Sequence, residues 1–323
     1  MSASRSTKNA LHVTTLSGWY RFEPSGPEWK QVRRDLSYWA LTCLSVDPET
    51  PQRIYAGTEH SGLFYTEDAG SHWLRANPNV PKMMLFSVLA LPGTVMVGTV
   101  PSALYKKING SWQELTGVRA HSGNASFPPS PELQSRTRYI TRDPANCARL
   151  YAGIEVGGML VSNDAGATWE PANNGLTDMD VHEILASHHT PGLVLAACGE
   201  KVFRSTNQAE QWEEITPRTH DYGMSVAEDR RGVIYLGSAR GRPNTWIRES
   251  GAEAGIFRSS NGGVSWERVI DNLRGGVMHM CATPDREGVM AATSDGTLLA
   301  VDDSGARTVA TGLPCITAVE LGA

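Results

Sequence analysis

The stretch Ile54–Trp73, IYAGTEHSGLFYTEDAGSHW, returns at Leu150–Trp169 as LYAGIEVGGMLVSNDAGATW. Weaker copies end at Trp112, at Trp212, and at Trp266 after a long insertion. The N-terminus supplies a copy ending at Trp29, and the C-terminus one in which Thr308 replaces the Trp. The markers Trp29, Trp73, Trp112, Trp169, Trp212, Trp266 and Thr308 recur at a mean spacing of about 46 residues, within the propeller range of about 40 to 50. Six of the nine tryptophans thereby occupy one repeat position, and all 323 residues read as a single domain of seven units.

Each unit reads as four short strands. In the second unit, Leu41–Val46 is strand A, an Asp47-Pro48 turn follows, YAGT is strand B, GLFYT is strand C, and strand D begins near the Trp. The runs are β-branched or aromatic and bounded by Gly, Asp or Pro, and no segment of 11 or more residues shows helical periodicity. The expected fold is all-β: a seven-bladed β-propeller of four-stranded antiparallel blades. The first unit lacks a strand A, and Cys315–Leu321 is a strand without a unit. The C-terminal strand is therefore expected to complete the N-terminal blade and close the ring, removing open sheet edges.

Between strands C and D the chain carries Thr66-x-Asp68-x-Gly70-x-x-Trp73, Ser162-x-Asp164-x-Gly166-x-x-Trp169 and Ser259-x-Asn261-x-Gly263-x-x-Trp266. An Asp or Asn there accepts from the following amides and Gly supplies a positive φ, so a turn staple is the expected role rather than a calcium site. At these residues the chain resembles the BNR/Asp-box family, which includes sialidase-like propellers, xyloglucan-active hydrolases and photosystem assembly factors. The resemblance implies the propeller fold and leaves the activity open. An exo-sialidase reading is disfavoured, because the Arg-Ile-Pro motif that the resemblance would require is missing. The xyloglucan-active relatives are two-propeller secreted proteins, whereas one ring is read here.

The balance of 29 basic and 34 acidic residues gives no electrostatic reason to expect a nucleic-acid partner. No apolar run approaches the roughly 18 residues of a membrane span, and Met1–Tyr20 holds no signal-type apolar stretch. Five cysteines without a CxxC pair indicate neither a disulfide framework nor a cysteine zinc site. The expected compartment is the cytoplasm.

In such a blade the D–A and B–C connections open on one face. Two unusual loops belong there: 119–137, between blades 3 and 4, and 239–254, an insertion in blade 6. Loops of that length are commonly functional. The same mouth receives the starts of strands A, with Arg136, Arg138, Asp180, His182, Tyr222 and His279, and His220 just before Tyr222. It also receives the ends of strands B, with Glu59 and Glu155 at equivalent repeat positions. Glu59, Glu155, His182 and Tyr222 are the candidate catalytic residues; the two carboxylates suit acid–base glycoside cleavage if separated by about 5 to 9.5 Å. Arg136, Arg138, His220, Arg240, Arg242, Trp246 and His279 are the candidate ligand-binding residues, suited to an anionic or polyhydroxylated ligand. The bland alternatives are solvated turn carboxylates, paired arginines and satisfied channel histidines. No cofactor is expected, a metal at His182, His220 and His279 being the lesser possibility; a one-residue slip of register would turn one of these side chains away. The expected function is binding, and potentially processing by a hydrolase or lyase reaction, of a small polar or glycan-like ligand in this funnel. The alternative is a non-catalytic propeller with a protein partner on the same face.

Overall fold

The computed structural model describes residues 9–76, 84–122, 134–285 and 287–322. They form seven four-stranded antiparallel sheets, each ordered A-B-C-D along the chain except the first. In blade 1, Ile316–Leu321 is strand A beside Leu11–Thr15, Gly18–Ser25 and Glu28–Asp35, so the C-terminal strand closes the ring as expected. One seven-residue helix, Thr116–Ser122, opens the connection between blades 3 and 4; residues 123–133 of that connection lie outside the described residues.

The C–D connections use two solutions. Blades 1, 3 and 7 turn through tight hairpins, at Ser25↔Glu28, Ile108↔Ser111 and Asp302↔Gly305. Blades 2, 4, 5 and 6 use a staple of a hydroxyl with a carboxylate (Asp68, Asp164) or a carboxamide (Asn207, Asn261): Ser162 Oγ accepts from Gly166 N (2.8 Å) and donates to Asp164 Oδ1 (2.8 Å), which in turn accepts from Thr168 N (2.8 Å). Blade 5 repeats it with Ser205, Asn207 and Ala209, where Ala209 holds φ 72° without being glycine. The marker tryptophans then tie blades together. Trp212 Nε1 donates to Ala172 O (2.7 Å) and Trp266 Nε1 to Ile215 O (2.8 Å), each at the outer strand of the preceding blade.

A second feature repeats at the channel. In every inner strand the ladder to its neighbour shifts by one residue near the start, leaving Thr42, Phe86, Arg138, His182, Met224, Met278 and Thr317 each bulged. A bulge kinks a strand and re-aims the extra side chain. Here all seven point into the channel neck and line a cavity of about 120 Å³. The glycine of the YAGT-type strand is its counterpart. A Cβ at Gly153 or Gly237 would lie 2.7 or 2.6 Å from Val181 or Val277 of the next inner strand. The small residue thus lets each bulged strand seat tightly on the blade before it.

Candidate functional site

The bulges define tiers of equivalent side chains around the channel. The neck tier is the set just named. Two residues earlier in each inner strand lies the mouth tier, which includes Ala40, Met84, Arg136, Asp180, Tyr222 and Gly276. Charge is confined to one sector. Blade 4 supplies Arg136 above Arg138, blade 5 supplies Asp180 above His182, and blade 6 supplies Tyr222 above Met224.

Glu155, opposite Arg136 in the blade 4 ladder, joins them. Arg136 Nε lies 3.1 Å and Arg138 Nε 3.8 Å from Glu155 Oε2, and both guanidinium groups stand over the Phe86 face at 4.5 and 5.9 Å. His182 is fully enclosed: Nδ1 lies 2.7 Å from Gly223 O. A carbonyl only accepts, so Nδ1 carries the proton and Nε2 faces Asp180 Oδ1 (3.6 Å) and Tyr222 Oη (3.5 Å). One ligand-type atom each of Glu155, Asp180 and His182 lies within 4.8 Å of the others. Gly199 occupies the place in blade 5 that Glu155 holds in blade 4. A Cβ there would sit 2.5 Å from Asp180 Oδ2, so the glycine makes room for the aspartate.

The electrostatics follow from this packing. Burial favours the neutral form of Asp180, but His182, Arg138 and Arg242 outweigh it and hold the carboxyl below its ordinary range. Burial likewise opposes charge on His182, and Asp180 and Glu155 overcome it, raising the imidazole above its ordinary value. Burial pushes the Tyr222 phenol upward, with Asp180 and Glu155 adding to the effect.

Trp246 lies over this sector as an anchor for the blade 6 insertion. Its indole packs edge-on against Tyr222 (6.1 Å between ring centres), its Nε1 donates to Gly241 O (2.8 Å), and its ring covers Gly276, where any Cβ would collide with it. Arg242, beside it, pairs with Glu200 of blade 5. The insertion is thereby fastened at both flanks.

Four candidates stand elsewhere. Glu59 is half-exposed and its carboxylate meets His60 at 3.7 Å, and the mouth-tier residue beside it is Ala40 and not an arginine. The close carboxylate pair is Glu155 with Asp180, rather than Glu59 with Glu155. His220 is an internal staple of blade 6, with Nε2 3.0 Å from both Asp271 Oδ1 and Glu253 O and Nδ1 2.8 Å from Thr219 Oγ1. Arg240 reaches the same Asp271 at 3.7 Å. His279 follows the bulge residue Met278 and so belongs one tier deeper than His182. There its Nδ1 meets Val319 O (3.0 Å) and its Nε2 lies 4.0 Å from Glu183, and burial lowers it to about 4. His182, His220 and His279 therefore do not form a ligand set. Among the described residues, the group suited to a metal is Glu155, Asp180 and His182. Asp180 was legible as a mouth residue, and the Gly199 substitution in the repeat was the signal that singles it out.

Below the neck, Tyr139, Glu183, His279 and Glu320 floor a wider cavity of about 590 Å³ that opens between the A–B turns. Glu320 Oε2 accepts from Val46 N (2.7 Å), pinning the closing strand to blade 2, and burial raises its carboxyl to about 8. All five cysteines are free. No helix among the described residues is long and apolar enough to cross a membrane.

The fold and site define a seven-bladed β-propeller with a charged sector at one channel mouth. No family model matches the chain. Among curated proteins it is similar to xyloglucanase Xgh74A of Acetivibrio thermocellus, 27% identical over 171 residues that cover 43% of this chain and 20% of that protein. It is also similar to a probable oligoxyloglucan-reducing end-specific xyloglucanase of Neosartorya fischeri, 24% identical over 231 residues covering 64% of this chain and 27% of that protein. The chain thus spans about a fifth to a quarter of the length of the curated relatives it matches. Among solved structures, the GH74 xyloglucanase from Xanthomonas campestris superposes with a TM-score of 0.68 at 16% identity, over 97% of this chain and 52% of that one. YCF48 bound to D1 peptide superposes with a TM-score of 0.60 at 16% identity, over 88% and 86%. At these identities the structures establish the shared propeller fold.

Proposed function

We propose that the charged sector of the mouth binds a small polar, anionic or sugar-like ligand and carries the acid–base groups for a hydrolase or lyase reaction on it. The observation that carries this reading is the convergence of Arg136, Arg138, Glu155, Asp180, His182 and Tyr222 from three successive blades, while Ala40, Met84, Thr42 and Met278 occupy equivalent places elsewhere. Structural ion pairs alone give no reason for that polarisation. Glu155 and Asp180 bring one carboxylate oxygen each within 4.8 Å, nearer the roughly 5 to 5.5 Å of a pair in which one carboxylate attacks the sugar than the wider spacing that leaves room for a water. His182, oriented through Nδ1, and Tyr222 supply proton-transfer groups. The similarity to xyloglucanases favours a glycan-like ligand, and the four stapled turns fit a BNR/Asp-box repeat. Five free thiols fit a reducing, cytoplasmic setting.

A second reading, a protein-binding propeller, draws on Tyr38 and Ile247, which are 96% and 91% exposed on this same face. Turnover of a panel of neutral and acidic oligosaccharides, with Glu155→Ala and His182→Ala alongside, separates the two. Turnover by the native chain that both substitutions abolish is expected. Turnover unaffected by either would remove these residues from the reaction. Binding without any turnover would leave a non-catalytic module.

A further inference from the structure

We infer that Glu155, Asp180 and His182 form a divalent-cation site of the zinc or manganese type at the mouth. This rests on the mouth being a ligand site and names what organises it: with the ion bound, Glu155, Asp180 and His182 hold it rather than act as free acid and base. Three metal-ligating groups face one another here, the Glu155 and Asp180 carboxylates and the His182 imidazole, with one ligand atom of each within 4.8 Å of the others. No protein donor reaches Asp180 Oδ1 within hydrogen-bond geometry, and His182 Nδ1 is committed to Gly223 O. Two converging carboxylates need a positive charge between them, and a divalent ion that displaces the Nε2 proton of His182 supplies more of it than the imidazolium does. Metal bonds of about 2.0–2.2 Å to oxygen and nitrogen place ligand atoms about 3 to 4.4 Å apart, within reach of small carboxylate rotations.

The surrounding groups are those that orient metal ligands. A backbone carbonyl fixes the tautomer and plane of the histidine, and guanidinium groups hold one oxygen of the Glu155 carboxylate. The bulge at His182 is what turns this imidazole toward the aspartate. Two carboxylates against one divalent ion leave the ion neutralised, and Arg136 and Arg138 then make the sector cationic. The remaining coordination positions would accordingly take an anionic oxygen, either hydroxide or a ligand carboxylate. Glu59 of blade 2 has no such companions, and among the described residues Glu155, Asp180 and His182 form the one group of this kind.

The test titrates Zn²⁺ and Mn²⁺ into chelator-stripped protein against a chromophoric chelator, with no organic ligand present. One equivalent is expected, weakened at least 100-fold by His182→Gln and by Asp180→Asn. In the native chain, Zn²⁺ is expected to shift the side-chain ¹⁵N resonance of His182 Nε2, a readout that needs no variant to fold. No binding, or one equivalent that survives both substitutions with His182 unshifted, would overturn the site. Oligosaccharide binding by stripped protein that takes up no metal would leave the ligand-binding mouth standing while removing the cation from it.

Discussion

Blades 4 and 5 and blades 6 and 7 carry the same bulge at the same height of the channel, yet they build different walls. The first pair presents Arg138 and His182, the second Met224 and Met278. The same contrast separates Glu155 from Glu59, which share a repeat position. Glu155 has an arginine at the mouth tier of its own blade and is 13% exposed; Glu59 has Ala40 there and is 44% exposed. The repeat fixes where a side chain points, and the neighbouring inner strand decides what it becomes.

The largest effect expected from this contrast is on stability. Arg136→Ala leaves the enclosed Glu155 carboxylate with only the more distant Arg138, and denaturant unfolding should show a loss of about 2–3 kcal/mol. Glu59→Gln should stay within about 0.5 kcal/mol. Equal losses from both would erase the distinction between the two glutamates.

A smaller effect concerns the channel acid beneath the sector. Glu320 is raised by burial from 4.5 to about 8 in the folded chain. Its stabilising contribution is therefore complete below about pH 4.5 and is lost as pH rises through 8, because the native state holds the proton that the unfolded state releases. Since the side chain also touches channel solvent, the loss between pH 5 and 9 should be about 1–2 kcal/mol. Glu320→Gln should flatten this slope, and an unchanged slope would assign the proton elsewhere. The smallest effect is constructive. Ala40→Arg would give Glu59 the partner that Glu155 has, and at a half-exposed, solvent-screened position this should add no more than about 0.5 kcal/mol.

Much of the architecture was legible because a repeat averages out local ambiguity. Seven markers gave the blade count, and the unpaired Cys315–Leu321 gave the closure. Blade 5's staple was harder to see, since Asn207 and Ala209 replace Asp and Gly while making the same hydrogen bonds. The sector was legible in part. Arg136, Arg138, Glu155, His182 and Tyr222 could be placed at one mouth by strand counting alone. The bulges could not, and they decide that His182 is a neck residue while His279 sits one tier below Met278. His220 points back into its own blade because Asp271, 51 residues away in sequence, lies 3.0 Å from it. Trp246 serves as a packed anchor because Gly276 of the next blade leaves room for its ring, a contact that repeat alignment does not reveal.

The central claim is that the charged sector, and not the channel mouth as a whole, binds the ligand. Calorimetric affinities for the best-binding oligosaccharide, measured on the native chain, Arg138→Met and Met278→Thr, test it directly. Arg138→Met gives blade 4 the neck residue of blades 6 and 7, and affinity should fall at least 10-fold, whereas Met278→Thr should change it less than 2-fold. Equal affinities for the two variants would contradict the account.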